Sequence, residues 1–153
     1  MDIIFATSNT HKIIEAKEAL GKSFNIITPK DLGIIEEIPE TGNTLKDNAC
    51  QKAMYLWNKT HKTCLADDTG LEVDILDGEP GVYTARYYLL PDTYSNSPLS
   101  NLSAKVSLNV PMENMKKLLR ELDARERILK DKANRNAQFK TVIIIAKTKC
   151  ANL

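Results

Sequence analysis

Two short polar segments of the sequence contain residue types that can bind phosphate and a divalent cation. The first runs from Thr7 to Lys12 and reads Thr-Ser-Asn-Thr-His-Lys, between an apolar run and a helical pattern. Free backbone N–H groups at a helix N-terminus favour an anion, and Lys12 adds a full positive charge. The segment lacks the glycine spacing of a P-loop. Taken alone, it is explained more simply by a capped helix with a solvated lysine, and a phosphate site is the alternative.

The second polar segment is Asp67-Asp68-Thr69-Gly70, which follows the short apolar run Cys64 to Ala66. Neighbouring carboxylates at the end of a strand point to opposite sides, so one can face a cleft while the other anchors the loop. A carboxylate in a cleft can hold Mg²⁺ and orient or deprotonate a water molecule. An acidic turn that closes the strand explains this segment equally well.

Three further charged residues could complete such a site. Glu40 precedes Thr41-Gly42 and offers a second carboxylate, and Mg²⁺ usually takes one or two carboxylates from a protein. Lys52, on the next predicted helix, could lean toward a triphosphate. Arg86 could bind phosphate or a carboxylate, or it could be a structural arginine. Asp47 is better explained as a helix-capping acid than as a metal ligand.

The elements that must position these residues alternate between strand and helix patterns. The predicted strands cover Asp2 to Ala6, Phe24 to Thr28, Cys64 to Ala66, Leu71 to Ile75, and Gln138 to Ala146. The last of these has the continuous apolar pattern of a strand covered on both faces. The predicted helices begin after Asn9 or Thr10, after Thr44 and at Pro111. Strands interleaved with helices predict an α/β fold and leave the order of the strands open.

Two stretches have a different character. Residues 91–109 are rich in proline, serine and asparagine, which predicts a long surface loop or insertion. The charged run from Lys116 to Arg135 is most simply a solvated helix face. The apolar face of the same helix is predicted to contain Met115, Leu118, Leu119 and Leu122.

The composition argues against several classes of protein. The chain has 153 residues, of which 42% are apolar and 27% charged, with a net charge of +1. These values are ordinary for one globular domain and give no reason to expect nucleic-acid or membrane binding. We find neither a secretory signal pattern nor a membrane-spanning run, so we expect a cytoplasmic protein. Three widely spaced cysteines, Cys50, Cys64 and Cys150, favour buried thiols over a disulfide framework or a zinc site.

Taken in order, these segments resemble the inosine/xanthosine triphosphate pyrophosphatase family. The resemblance rests on residues 6–12, on Glu40-Thr41-Gly42 with Asn48-Ala49 and Lys52-Ala53, on residues 66–74, and on residues 81–87. It is strong over residues 1–88 and weaker over residues 111–146. The Maf-like nucleotidases share the general fold, but their motifs fit this sequence less well.

The resemblance implies a Mg²⁺-dependent hydrolase that converts inosine, deoxyinosine or xanthosine triphosphate to the monophosphate and pyrophosphate. It also implies an elongated mixed sheet flanked by helices, and a homodimer. Asp68 would be the catalytic base and, together with Glu40, a ligand of Mg²⁺. Lys12 would be catalytic through its hold on the phosphates. The resemblance and the residues discussed above together give the expected substrate contacts, which are Thr7, Ser8, Asn9, Thr10, His11, Lys12, Lys52, Thr69 and Arg86.

The chain also departs from the family pattern. Residues 89–109 have no counterpart, and the segments Phe-Gly-Tyr-Asp-Pro and Ser-His-Arg, which form the family's purine pocket, do not occur. We therefore expect a single incomplete domain over residues 1–153, with the C-terminal part missing and exposed edges at the last strand. A second hypothesis is a catalytically inactive nucleotide-binding or interaction remnant of the family.

Overall fold

The structure, a computed structural model, describes residues 1–95, 109–130 and 135–147. The strands are β1 (Asp2–Phe5), β2 (Asn25–Ile27), β3 (Cys64–Val73), β4 (Pro80–Gly81) and β5 (Ala137–Ala146). The α-helices are α1 (Thr10–Leu20), α2 (Leu45–Thr60) and α3 (Val110–Leu129). The chain divides into two units, residues 1–68 with 141–153 and residues 69–140. The expectation of a single domain stays a prediction.

The predicted α/β class is confirmed by a five-stranded mixed sheet. β1 pairs in parallel with β2 and with the first residues of β3, so that Ile4 lies opposite Cys64. The last residues of β3 pair antiparallel with β4, and β5 also pairs with β3. β3 therefore has more strand partners than any other described strand.

Alternate residues of β1 and β3 in the first unit face two different helices. One face packs on α2 and contains Ile4, Ala6, Cys64 and Ala66 against Ala53 and Leu56. The other face packs on α1 and contains Ile3, Phe5 and Leu65 against Ile13, Ala16 and Leu20. Because side chains alternate along a strand, Asp67 continues the α1 face of β3 and Asp68 continues its α2 face.

Both helices of the first unit begin at the predicted caps. Asn9 is the N-cap of α1, and its Oδ1 accepts hydrogen bonds from the backbone N–H groups of His11 and Lys12. Thr44 is the N-cap of α2, where its Oγ1 accepts from the Asp47 N–H. These caps satisfy N–H groups that a helix start leaves without an internal partner.

The predicted end of the strand at Asp67-Asp68-Thr69-Gly70 is wrong. These residues lie inside β3, which runs unbroken from Cys64 to Val73. The strand continues through its acidic pair because both carboxylates have cationic or amide partners, and because β4 takes up strand pairing at Leu71 and Glu72. A sequence pattern read as two strands is thus one strand that changes partners.

The prediction that the charged residues of α3 are solvated is wrong for Lys117 and Glu121, which are buried in the second unit. Lys117 Nζ donates to the carbonyls of Leu90 and Pro91, and the Glu121 carboxylate accepts from backbone N–H groups of residues 93–94. The two side chains satisfy backbone groups of residues 90–94, which lie outside the described strands and α-helices. Of the predicted loop at 91–109, residues 96–108 lie outside the described residues.

The predicted apolar face of α3 is confirmed only in part. Leu122 is buried with Val73, Ile75 and Leu76, and Leu118 packs against that cluster. Met115 and Leu119 are exposed instead. No helix within the described ranges is both long enough and apolar enough to span a membrane.

The predicted covering of β5 on both faces is also wrong. Ile144 and Ala146 pack against the α2 side of the first unit, whereas Ile143 and Ile145 are 63% and 60% exposed. A continuous β-branched run contains no alternation that would mark the covered face, so the sequence could not distinguish the two.

Candidate active site

The polar segment Thr7 to Lys12 connects β1 to α1, as predicted. Thr7 and Lys12 are half-buried, and the residues between them are exposed. The side chain of Asn9 occupies the N–H groups of His11 and Lys12, and the first turn of α1 contains no acidic residue. An anion at this position would meet a positive helix end and one lysine, in exchange for part of the Asn9 cap.

Lys12 forms an ion pair with Asp67 on the α1 face of β3. Its Nζ lies 2.5 Å from Asp67 Oδ2, and the side chains are 30% and 10% exposed. Asp67 was not among the predicted site residues. Lys12 pairs with Asp67 because α1 packs on the face of β3 to which Asp67 belongs.

Glu40, Lys52 and Asp68 come together on the α2 face of β3. Lys52 Nζ lies 2.8 Å from Glu40 Oε1 and 3.6 Å from Asp68 Oδ1. The side chains of Lys52 and Asp68 are largely buried, at 9% and 14% exposure, while Glu40 is 38% exposed. The two carboxylates predicted to bind Mg²⁺ are thus brought together, with the lysine ammonium between them.

Asn48 also contacts Asp68 from α2. This side chain is fully buried, its Nδ2 donates to Asp68 Oδ2 at 3.2 Å, and its Oδ1 accepts from the Gly42 N–H at 2.7 Å. Asn48 and Lys52 are four residues apart, so they lie one turn apart on the same helix face. The buried face of α2 therefore supplies both described polar partners of Asp68.

The last two predicted contacts, Thr69 and Arg86, belong to the second unit. Thr69 follows Asp68 in β3 and is half-buried. Arg86 lies in the 3-10 helix Thr84–Leu89, with its guanidinium over the ring of Tyr83. Their roles toward a substrate stay predictions.

The formal charges of the two ion-pair groups in the first unit are close to balanced. The two ion-pair groups contain the ammonium groups of Lys12 and Lys52 and the carboxylates of Glu40, Asp67 and Asp68, a formal net charge of −1. The charge of −1 belongs to the group of Glu40, Lys52 and Asp68, which would repel a polyphosphate unless a further cation entered with it. Within the described ranges, no group of three or more histidine, cysteine, aspartate or glutamate side chains is arranged to hold a metal alone.

Asn48 was not among the predicted site residues, although the spacing of apolar residues on α2 contains a signal for it. The apolar residues Leu45, Ala49, Ala53 and Leu56 define the buried face of α2, and all are buried in the structure. Positions 48 and 52 fall on that same face by helical spacing, so a polar residue at either one requires a buried partner. The pattern would have predicted that Asn48 and Lys52 point inward.

The sequence is similar to proteins of one family along nearly its whole length. A profile of the Ham1 family matches residues 3–152. A dITP/XTP pyrophosphatase from Flavobacterium psychrophilum is 44% identical over 145 residues, which covers 95% of this chain and 64% of that protein. A protein of the same name from Thermoanaerobacter pseudethanolicus is 41% identical over 146 residues, which covers 95% of this chain and 63% of that protein.

Two solved structures share the fold. The structure of a HAM1 protein from Coxiella burnetii matches with a TM-score of 0.75 and 28% identity, over 97% of this chain and 64% of that one. The structure of the Staphylococcus aureus Ham1 protein matches with a TM-score of 0.68 and 30% identity, over 98% of this chain and 65% of that one. The chain therefore spans just under two thirds of the length of these relatives.

Proposed function

Because the chain belongs to the Ham1 family, we propose that it is a nucleoside triphosphate pyrophosphatase. The proposed reaction hydrolyses inosine, deoxyinosine or xanthosine triphosphate to the monophosphate and pyrophosphate. The name dITP/XTP pyrophosphatase, which the similar proteins carry, supports this substrate class. The observation that carries the proposal is the convergence of Glu40 and Asp68 on Lys52 Nζ. Two carboxylates beside a lysine are the groups that a complex of metal and triphosphate requires.

The two carboxylates fit a Mg²⁺ ion by charge and by ligand type. A cationic nitrogen already lies within 2.8 Å of Glu40 Oε1 and 3.6 Å of Asp68 Oδ1, so the space between them accommodates a positive group. Mg²⁺ prefers oxygen ligands and commonly takes one or two carboxylates, with phosphate oxygens and waters as the rest. When bound, the ion would neutralise negative charge on the departing pyrophosphate.

Asp68 is the proposed general base. The attacking water would transfer a proton to its carboxylate as the oxygen adds to the α-phosphorus and pyrophosphate leaves. Lys52 would keep one N–H on the carboxylates and turn another toward the triphosphate, because an ammonium group has three donors. The burial of both side chains supports the proposal, since charge interactions are stronger where water is excluded.

Lys12 and the segment from Thr7 to His11 are the proposed holders of the phosphates. Lys12 can contact a phosphate oxygen while it stays paired with Asp67, again because its ammonium has three donors. The start of α1 adds a positive helix end on the same segment. Thr69 and Arg86 stay predicted substrate contacts on the sequence alone.

A cytoplasmic location and a homodimer, both expected from the sequence, belong to the same proposal. An enzyme that removes aberrant nucleotides from the nucleotide pool would act in the compartment where nucleotides are used. The mass of the purified chain in solution, measured by light scattering, tests the dimer. A monomeric mass at micromolar concentration would contradict the proposed homodimer.

Pyrophosphate release tests the activity. The assay compares inosine triphosphate, deoxyinosine triphosphate and ATP in the presence of Mg²⁺, with Asp68→Asn as the matched variant. We expect release from the inosine nucleotides and a loss of at least roughly 100-fold in Asp68→Asn. Equal turnover of ATP would indicate catalysis without selection of the base. No release from folded protein would contradict the enzyme and favour a nucleotide-binding role.

A further inference from the structure

Asn48 is one of two buried polar residues on the inward face of α2, and the other is Lys52. Its exposure is 0%, and apart from Lys52 the buried positions of that face are alanine and leucine. An unpaired primary amide in such a place would cost about 1–3 kcal/mol. Asn48 instead has a partner for each end of its amide, the Gly42 N–H and the Asp68 carboxylate.

The chemistry of these partners fixes the direction of the amide. The Gly42 N–H can only donate, so it must face the Asn48 oxygen, and the ionised Asp68 carboxylate can only accept, so it must face the nitrogen. A flip of the amide would place two donors together and two acceptors together. The orientation of Asn48 is therefore determined on both sides.

Gly42, the backbone partner of Asn48, packs closely against the start of α2. A Cβ atom at this position would lie 2.6 Å from the Asp47 Cβ and 2.9 Å from the Asn48 Oδ1. Only glycine lets the loop sit this close to the start of α2. The same loop contains Glu40, two residues earlier, so Asn48 connects the segment that bears Glu40 to Asp68.

The two oxygens of Asp68 are divided between two residues of α2. Asn48 Nδ2 contacts Oδ2 at 3.2 Å, and Lys52 Nζ lies 3.6 Å from Oδ1. We propose that Asn48 is a positioning residue, which holds Oδ2 so that Oδ1 stays directed toward Glu40 and Lys52. The inference rests on the proposed function, because it makes Asn48 act on catalysis through Asp68.

Two substitutions of Asn48 and one control separate this role from simple anchoring of the loop. Asn48→Ala removes both bonds, whereas Asn48→Asp keeps an acceptor for Gly42 and replaces the amide donor with a second carboxyl group beside Asp68. Gln51→Ala is the control, because Gln51 binds the backbone N–H of Thr41 at 2.9 Å and so anchors the same loop to the same helix.

Both Asn48 variants should lower kcat by roughly 10- to 100-fold, with KM changed by less than about threefold, as for residues that orient a ligand or base. Gln51→Ala should stay within about twofold of the unmodified protein, since an exposed loop contact does not orient the base. Circular dichroism shows whether each variant is folded. Full activity of folded Asn48→Ala would overturn the inference, because Asp68 would then work without the Asn48 donor.

A nuclear magnetic resonance measurement tests the contact without any activity. The side-chain amide signal of Asn48 is observed in ¹⁵N-labelled protein and compared with that of the Asp68→Ala variant. Loss of the acceptor should shift this signal and speed its hydrogen exchange by about tenfold or more. An unchanged signal would overturn the inference even if Asn48→Ala fails to fold. A changed signal in a protein that releases no pyrophosphate would contradict the proposed function instead.

Discussion

Lys52→Met removes the ammonium group that lies between Glu40 and Asp68 and keeps most of the side-chain volume. At an effective dielectric constant of about 20, distances of 2.8 and 3.6 Å correspond to gross attractions of roughly 6 and roughly 5 kcal/mol. Most of this is offset by the cost of burying the ammonium and by solvent screening at Glu40, which is 38% exposed. We expect a net loss of about 2 kcal/mol in the free energy of unfolding, or about 4–8 °C in Tm.

The same variant should respond more strongly to Mg²⁺. In the unmodified protein an added ion must share the two carboxylates with Lys52, whereas in Lys52→Met it meets no competing cation. At roughly tenfold excess over its dissociation constant, the ion would return roughly 1.4 kcal/mol of stability to the variant. Thermal unfolding with and without MgCl₂, at constant ionic strength, measures both quantities.

Lys59→Met is the matched control for Lys52→Met. Lys59 lies on the same helix and pairs with Glu36, but both side chains are well exposed. This substitution should change neither the Tm nor its response to Mg²⁺ by much, because exposed ion pairs are screened by water. An equal Mg²⁺ response in all three proteins would refute a shared position for the ion and Lys52.

Three further predictions concern other buried groups. Asp67→Asn leaves the Lys12 ammonium without its ionised partner, and should lower the free energy of unfolding by about 1–2 kcal/mol in denaturant titration; an unchanged midpoint would contradict a stabilising pair. Glu121→Ala should lower the free energy of unfolding by about 3 kcal/mol, because it removes the fully buried acceptor of two backbone N–H groups. A Tm within about 2 °C of the unmodified protein's, which corresponds to roughly 0.5 kcal/mol, would be inconsistent with that role. Burial raises the pKa of the Cys64 thiol, so this residue should react with a thiol reagent at pH 8 more slowly than the half-buried Cys50, and faster labelling of Cys64 by peptide mapping would contradict its burial.

Local signals in the sequence were sufficient to place the helix starts. Asn9 and Thr44 are short polar residues before helical patterns, and both cap through bonds to N–H groups two or three residues later. The inward face of α2 follows from the spacing of Leu45, Ala49 and Leu56. Helix caps and helix faces depend on residues that are close in sequence, so both can be predicted from the sequence alone.

Partners across the fold could not be predicted, because they depend on strand register. Lys12 pairs with Asp67 because β3 lies beside β1 with Cys64 opposite Ile4, which directs residue 67 to the α1 face. A shift by one residue would exchange the faces of Asp67 and Asp68. The continuity of β3 through its acidic pair depends on the same partners.

The burial of charged residues on α3 was hidden for a related reason. Lys117 and Glu121 have the composition of a solvated face, and their inward direction is explained by partners distant in sequence, among them the backbone groups of residues 90–94. Those residues have no sequence pattern that marks them as partners. The charge pattern of a helix is therefore a poor guide where a nearby loop needs donors or acceptors.

The product of hydrolysis is the most direct test of a phosphate and metal site on Asp68. ³¹P nuclear magnetic resonance of deoxyinosine triphosphate, incubated with Mg²⁺ and the purified chain, distinguishes cleavage after the α-phosphorus from removal of the terminal phosphate. The proposed site predicts signals of the monophosphate and pyrophosphate, which are absent with Asp68→Asn. Signals of the diphosphate and orthophosphate, or equal hydrolysis by the folded variant, would contradict it.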